Sequence, residues 1–118
     1  MEAKKGFTAF AHGLPMSAKK VRPIADHLRK KKVNDVLALL EALPNKGAYF
    51  LKKVIQSAAA NALFQNKQLD EEQLVVSKLT IDEGQSRTTV WARARGRADR
   101  LKKRSCHIYV EVEEKGAK

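Results

Sequence analysis

Two groups of residues in this 118-residue chain have types and spacings that bear on chemistry. The first is the run 87–104, in which Arg87, Arg93, Arg95, Arg97, Arg100, Lys102, Lys103 and Arg104 stand with a single acid, Asp99, for a net +7. The whole chain carries +11, so the residues outside this run supply only +4. Guanidinium groups fork onto phosphate oxygens and stack on bases, and cations this dense repel one another unless a polyanion is present. Nucleic acid is the first candidate, because its phosphates supply most of the binding free energy of such proteins. The second group, Asp82, Glu83, Ser105 and His107, flanks the run and is where a basic hydrolase or nuclease would have to be built. It comes without paired carboxylates at metal-ligand spacing and without a glycine-rich phosphate loop, so no catalytic residue, metal or cofactor is assigned.

The elements that must position these groups read as three helices and three strands. Phe7 to His12 suits a short strand, ended by a turn at Gly13-Leu14-Pro15. Ser17 offers an N-cap oxygen for a first helix, whose wheel puts Val21, Ile24, Ala25 and Leu28 on one side and Lys19, Arg22, Arg29 and Lys30 on the other. Pro23 removes an internal hydrogen bond and predicts a kink or a later start. Asn34 is the expected cap of a second helix with a Val36, Leu39, Leu40, Leu43 stripe, closed by Pro44. Asn45 is the expected cap of a third and longest helix reaching about Asn66, with Leu51, Val54, Ile55, Ala58, Ala62 and Leu63 inward. Its small residues invite close approach of another element, and Ser57 and Asn61 are placed to bond to one.

After a solvated Asp70-Glu71-Glu72 connection the period becomes two. Val75, Leu79 and Ile81 are expected inward in one strand, and Cys106, Ile108, Val110 and Val112 in another, as antiparallel neighbours. The 22 residues 83–104 lie between them. A structureless loop of that length is rare in a compact domain, whereas two strands continued outward as a ribbon would project roughly 35 Å. Two strands alone are marginal in water, so the ribbon is expected to be mobile in the free protein. Ala92, Ala94, Gly96 and Ala98 keep it slim between the arginines, and Trp91 supplies a stacking surface near its tip or fills a local apolar niche.

Length and composition set the outer bounds. A chain of 118 residues, 43% hydrophobic and 6% aromatic, fits one folded domain with an aliphatic core. It has no apolar run near the roughly 18 residues of a membrane span, and Met1 to Phe10 lacks the apolar segment of a secretory signal. The single Cys106 excludes an internal disulfide and reads as a small core residue. Charge alone also fits an anionic membrane, but Arg93 to Arg104 lacks the apolar face a membrane-active arm needs. A DNA-bending architectural protein with a minor-groove ribbon is the remaining binding alternative, and it would dimerise.

Ser17-x-x-Lys20-Val21-Arg22, Ser57-Ala58-Ala59-Ala60-Asn61-Ala62, Asp82-Glu83-Gly84, Arg93-Ala94-Arg95-Gly96-Arg97 and His107-Ile108-x-Val110 occur in this order across residues 8–113. Together they resemble the universal large-subunit ribosomal protein number twenty-two family, bacterial type. The resemblance implies an α+β body at the surface of the large ribosomal subunit and a long hairpin that reaches through rRNA to the polypeptide exit tunnel. It implies RNA contacts for Lys20 and Arg22 in the first helix and for Arg93, Arg95 and Arg97 in the hairpin; charge and position add Lys19, Arg29, Arg87, Arg100, Lys102, Lys103 and Arg104 to the expected RNA-binding set. The resemblance also implies a tunnel tip at Thr89, Val90, Trp91 and Ala92. Against the family pattern, Thr88 and Thr89 stand where basic residues are common, Ala92 where proline is, Lys30 where glycine is, and Cys106 where a hydroxyl residue is.

The expectation is therefore a non-enzymatic α+β protein, three helices packed on a small three-stranded antiparallel sheet with a long protruding β-hairpin. Residues 1–118 form one domain and 83–104 its basic arm. Its partners are large-subunit (23S) rRNA, whose assembly it aids, neighbouring large-subunit ribosomal proteins and the nascent polypeptide, in the cytoplasm. Neither a membrane nor a homo-oligomer is expected.

Overall fold

A computed structural model describes residues 7–65 and 71–114, with the side chain of Glu71 left out. The element order is β1 (Phe7–Leu14), α1 (Ala18–Asp26), α2 (Val33–Ala42), α3 (Lys46–Gln65), β2 (Leu74–Glu83), β3 (Arg87–Ala92), β4 (Ala98–Lys103) and β5 (Cys106–Glu114). Strands β1, β5 and β2 pair in that order as an antiparallel sheet, while β3 and β4 form a separate two-stranded hairpin. The helices pack on one face of the sheet, giving the expected α+β architecture. Its extents of 66 × 34 × 21 Å and radius of gyration of 17.7 Å exceed the ~13.5 Å of a compact chain this long, as an outlying hairpin requires.

The core forms where two periods meet. Cys106, Ile108, Val110 and Val112 alternate inward along the central strand β5, opposite Leu51, Ile55, Ala58 and Ala62 of α3. Buried Ala58, Ala59 and Ala62 carry so little bulk that α3 lies close over β1. Asn61 fixes that approach: its amide Nδ2 donates to the Thr8 carbonyl at 2.9 Å. Ser57 is exposed, as are Lys53 and Gln56, and Lys52 is half-buried.

The strand period predicted for β2 fails halfway. Leu74 and Val76 are buried and Val75 is not, whereas farther along Leu79 and Ile81 are buried as expected. A bulge is the cause: Val76 pairs with Val112 and Lys78 with Glu111, leaving Ser77 as the extra residue, its hydroxyl donating to the Glu111 carbonyl at 3.0 Å. One inserted residue switches the face of everything before it. β1 also runs past the expected turn to Leu14, with an irregularity after Ala11 and Gly13 at φ +65°.

Helix starts and stops depart from the cap signals in two places. α1 begins at Ala18 with the Ser17 hydroxyl accepting from the Lys19 amide at 3.3 Å, so Pro23 falls inside the helix and does not delay its start. The helix ends three residues later, and Leu28 reaches the core from the following turn. α2 begins at Val33, not after Asn34, and Lys32 occupies the cap position without a side-chain bond. A bridge between Lys32 and Val75 holds that backbone extended, so tertiary pairing sets the helix start. Leu39, expected inward, is 39% exposed. In the connection predicted at Asp70-Glu71-Glu72, Glu71–Gln73 form a single 3-10 turn with Glu72 exposed, while Asp70 and the helix end predicted at Asn66 lie outside the described residues.

Lys30 stands at φ +65° in the turn after α1, with its amide donating to the Val76 carbonyl at 2.7 Å. Left-handed backbone costs a side-chain-bearing residue roughly 1–2 kcal/mol, partly offset for glycine by unfolded-state entropy. Lys30→Gly is therefore expected to stabilise the protein by about 0.5–1 kcal/mol in urea denaturation. A loss of stability would show that the Lys30 stem contributes more than its backbone costs.

Candidate nucleic-acid interface

The hairpin is a six-pair ladder from Arg87↔Lys103 to Ala92↔Ala98. It does not continue the strands of the sheet, because the segments 84–86 and 104–105 interrupt both sides. The turn is Arg93–Arg97, closed by the Arg93 amide to the Arg97 carbonyl at 2.7 Å and the Arg97 amide to the Ala94 carbonyl at 3.3 Å. Arg95 and Gly96 have φ of +62° and +75°. The small-residue/arginine alternation expected along this stretch is thus replaced by a tight turn that fans the arginines outward. Thr89, Val90, Trp91 and Ala92 lie on β3 leading into the turn, and Trp91, opposite Asp99, is one pair from the ladder's end.

Cross-strand pairing sorts the hairpin into two faces. Trp91, Thr89 and Leu101 share one with the Arg93–Asp99 ion pair, whose Nε to Oδ2 distance is 2.6 Å. The Arg93 guanidinium also lies 5.9 Å from the Trp91 ring. The other face holds Thr88, Val90, Arg100 and Lys102, with Val90 70% exposed. Across the whole of 87–104 only Thr89 and Leu101 are half-buried; the remainder is exposed. Arg87 and Lys103 stand directly opposite each other with no carboxylate among the described residues bonded to either. Directly opposed like charges destabilise a two-stranded ladder.

At the hairpin base the second chemical group does come together: Asp82 pairs with His107 and Glu83 with Cys106. Its hydrogen bonds are engaged elsewhere, however. The Ser105 hydroxyl donates to the Gln85 carbonyl at 2.7 Å, and His107 Nδ1 accepts from the Gly13 amide at 3.0 Å. No Ser–His pair forms, and among the described residues no three metal-ligating side chains converge. A Cβ at Gly84 would sit 2.4 Å from Ser105 Oγ and 3.0 Å from the His107 ring, so a side chain there would turn the Ser105 hydroxyl away from the Gln85 carbonyl. Burial pushes the Cys106 thiol up, leaving it protonated in the core.

Of the four cations expected on the first helix, Arg29 lies in the turn that follows Asp26, and it and Arg22 are tied to the sheet. Arg22 donates from Nε and Nη2 to the Ile81 carbonyl at 3.1 and 3.0 Å, and Arg29 from Nε to the Leu79 carbonyl at 2.9 Å. Arg29 also pairs with Asp26. Both carbonyls lie on the outer edge of β2, and the Lys30–Lys32 segment covers the Val75–Val76 stretch of that edge through its bonds to Val76 and the Val75 bridge. The arginines thus act as staples on an otherwise open strand edge. Lys19 and Lys20 are exposed and have no ion-pair partner among the described residues. Lys46, the first residue of α3 and absent from the sequence-derived set, meets Lys20 and the hairpin base around one groove. No local signal could have singled it out, because the groove is made by tertiary packing.

The profile of the ribosomal protein L22p/L17e family matches residues 9–113, the span that holds both the body and the hairpin. The chain belongs to this family. Among its relatives, the large ribosomal subunit protein uL22 of Borrelia duttonii (strain Ly) is 52% identical over 115 residues, covering 98% of this chain and 96% of that protein. The proteins of the same name from Borrelia recurrentis (strain A1) and Borrelia hermsii (strain HS1 / DAH) are 51% and 50% identical over the same shares. The ribosomal protein L22p/L17e family is structural, not enzymatic. The described residues include no helix long and apolar enough to cross a membrane.

Proposed function

We propose that this structural constituent of the cytoplasmic large ribosomal subunit binds large-subunit rRNA through its hairpin and α1 side, aids subunit assembly, and presents the hairpin end to the exit tunnel. Residues 1–118 act as one unit, with 83–104 as an arm whose shape is completed by RNA. The observation that carries this reading is the hairpin's charge balance: eight cations and one carboxylate, already paired, on a ladder with no buried residue of its own. Phosphates relieve the repulsion that the protein leaves in place. Arg93, Arg95 and Arg97 on the turn and Arg87, Arg100, Lys102, Lys103 and Arg104 along the ladder and base are the hairpin contacts. Lys19 and Lys20 extend them onto the body. Thr89 to Ala92 face the nascent chain, with neighbouring large-subunit proteins alongside.

Arg22 and Arg29 have a smaller part in RNA binding than their charge implies, because carbonyls of β2 hold their guanidinium groups. A charge reversal on the turn tests the reading. Arg95→Glu is expected to impair incorporation into reconstituted large subunits by tenfold or more while leaving monomer stability within about 0.5 kcal/mol, since Arg95 is exposed and has no ion-pair partner among the described residues. An unchanged assembly profile would remove Arg95 from the interface.

A further inference from the structure

Lys20 of α1, Lys46 of α3, and Lys102, Lys103 and Arg104 of the hairpin base line one open groove of about 570 Å³, with Ser17 at its edge. Its lining contains five cations and no carboxylate. These cations come from two parts of the molecule that are covalently continuous only through the breaks at 84–86 and 104–105. Strand β4 ends at Lys103 and β5 starts at Cys106, so the groove lies across the joint between hairpin and body. Without an anion, the two sides repel each other across it. Cations from separate elements converging on one concave surface suit a phosphodiester backbone, which carries one charge per residue and can touch both sides at once.

We propose that this groove is a seat for RNA backbone phosphates that fixes the direction in which the hairpin leaves the body. The proposal rests on the rRNA-binding reading and adds a site and a role to it. Phosphates lying between Lys20 and Lys46 on one side and Lys102 to Arg104 on the other turn a repulsive joint into a bridged one. The body and the hairpin then dock as a single rigid piece.

The full-length protein with Lys20→Ala and Lys46→Ala, titrated with large-subunit rRNA at several salt concentrations, tests this. Two lost phosphate contacts lower the slope of log K against log salt by about 1.5. Lys78→Ala, an exposed lysine on β2 away from the groove, leaves the slope unchanged, and Lys20→Arg with Lys46→Arg restores it. Spin labels on Thr88→Cys and Gln56→Cys, both exposed positions, read the joint directly; buried Cys106 stays unlabelled. The distance distribution narrows when rRNA is added to the otherwise wild-type protein and remains broad in the double-alanine background. A slope change without that difference in width, or neither change, overturns the proposal while the rRNA-binding reading stands. Failure of the wild-type protein to bind rRNA would remove both.

Discussion

Replacing residues 87–104 with a two-residue Asn-Gly turn is expected to lower the salt slope of rRNA binding by about 5. That is seven unpaired cations at ~0.7 each, and it weakens binding at moderate salt by on the order of a thousandfold. The same variant is expected to unfold cooperatively with stability within about 0.5 kcal/mol of the parent. The buried cluster consists of residues from β1, the helices, the turn after α1, β2 and β5, and takes nothing from this segment. The two readouts separate the arm's function from the body's folding. Unchanged salt dependence would show that the body carries the affinity, and loss of cooperative unfolding would show that the hairpin is part of the core.

The second large effect falls on the Arg22 and Arg29 staples. Arg22→Ala with Arg29→Ala leaves the Ile81 and Leu79 carbonyls without their charged donors and opens the outer edge of β2. Hydrogen bonds from charged groups contribute about 1.5–3 kcal/mol each when buried, and these are only part-buried. A combined loss of about 2–3 kcal/mol in urea denaturation is expected, with increased self-association through the exposed strand edge. Arg22→Lys separates charge from geometry: it keeps the cation but cannot place two donors on one carbonyl, so stability falls while rRNA affinity holds. Equal loss of affinity in the lysine and alanine variants, at constant stability, would instead make Arg22 an RNA contact.

Much of this was legible in the sequence because the signals were local. The periodicity of β5 identified its buried residues and that of α3 most of them, missing Ala48 and Ala59 and including the half-buried Leu63; the Ser17 cap marked the start of α1, and the charge of 87–104 marked the arm. What escaped the sequence depended on distant partners. The Ser77 bulge that turns Val75 outward is fixed by pairing with β5, and Lys32 displaces Asn34 as the cap of α2 because it bridges to Val75. Arg22 and Arg29 read as solvent-facing cations because nothing in a helical wheel reveals an unpaired strand edge beside it. The hairpin turn fell at Arg93–Arg97 because Arg95 and Gly96 adopt left-handed backbone, which a simple small-residue alternation does not anticipate. Lys46 enters the groove only through the packing of α3 beside α1.

The central claim is that the hairpin acquires a fixed shape from RNA. Amide hydrogen exchange of residues 87–103, in the free protein and bound to large-subunit rRNA, tests it most directly. In the free protein these amides should exchange orders of magnitude faster than those of β5, and rRNA should bring them to comparable protection. Protection equal to that of β5 before any RNA is added, or no gain when it binds, would contradict the account.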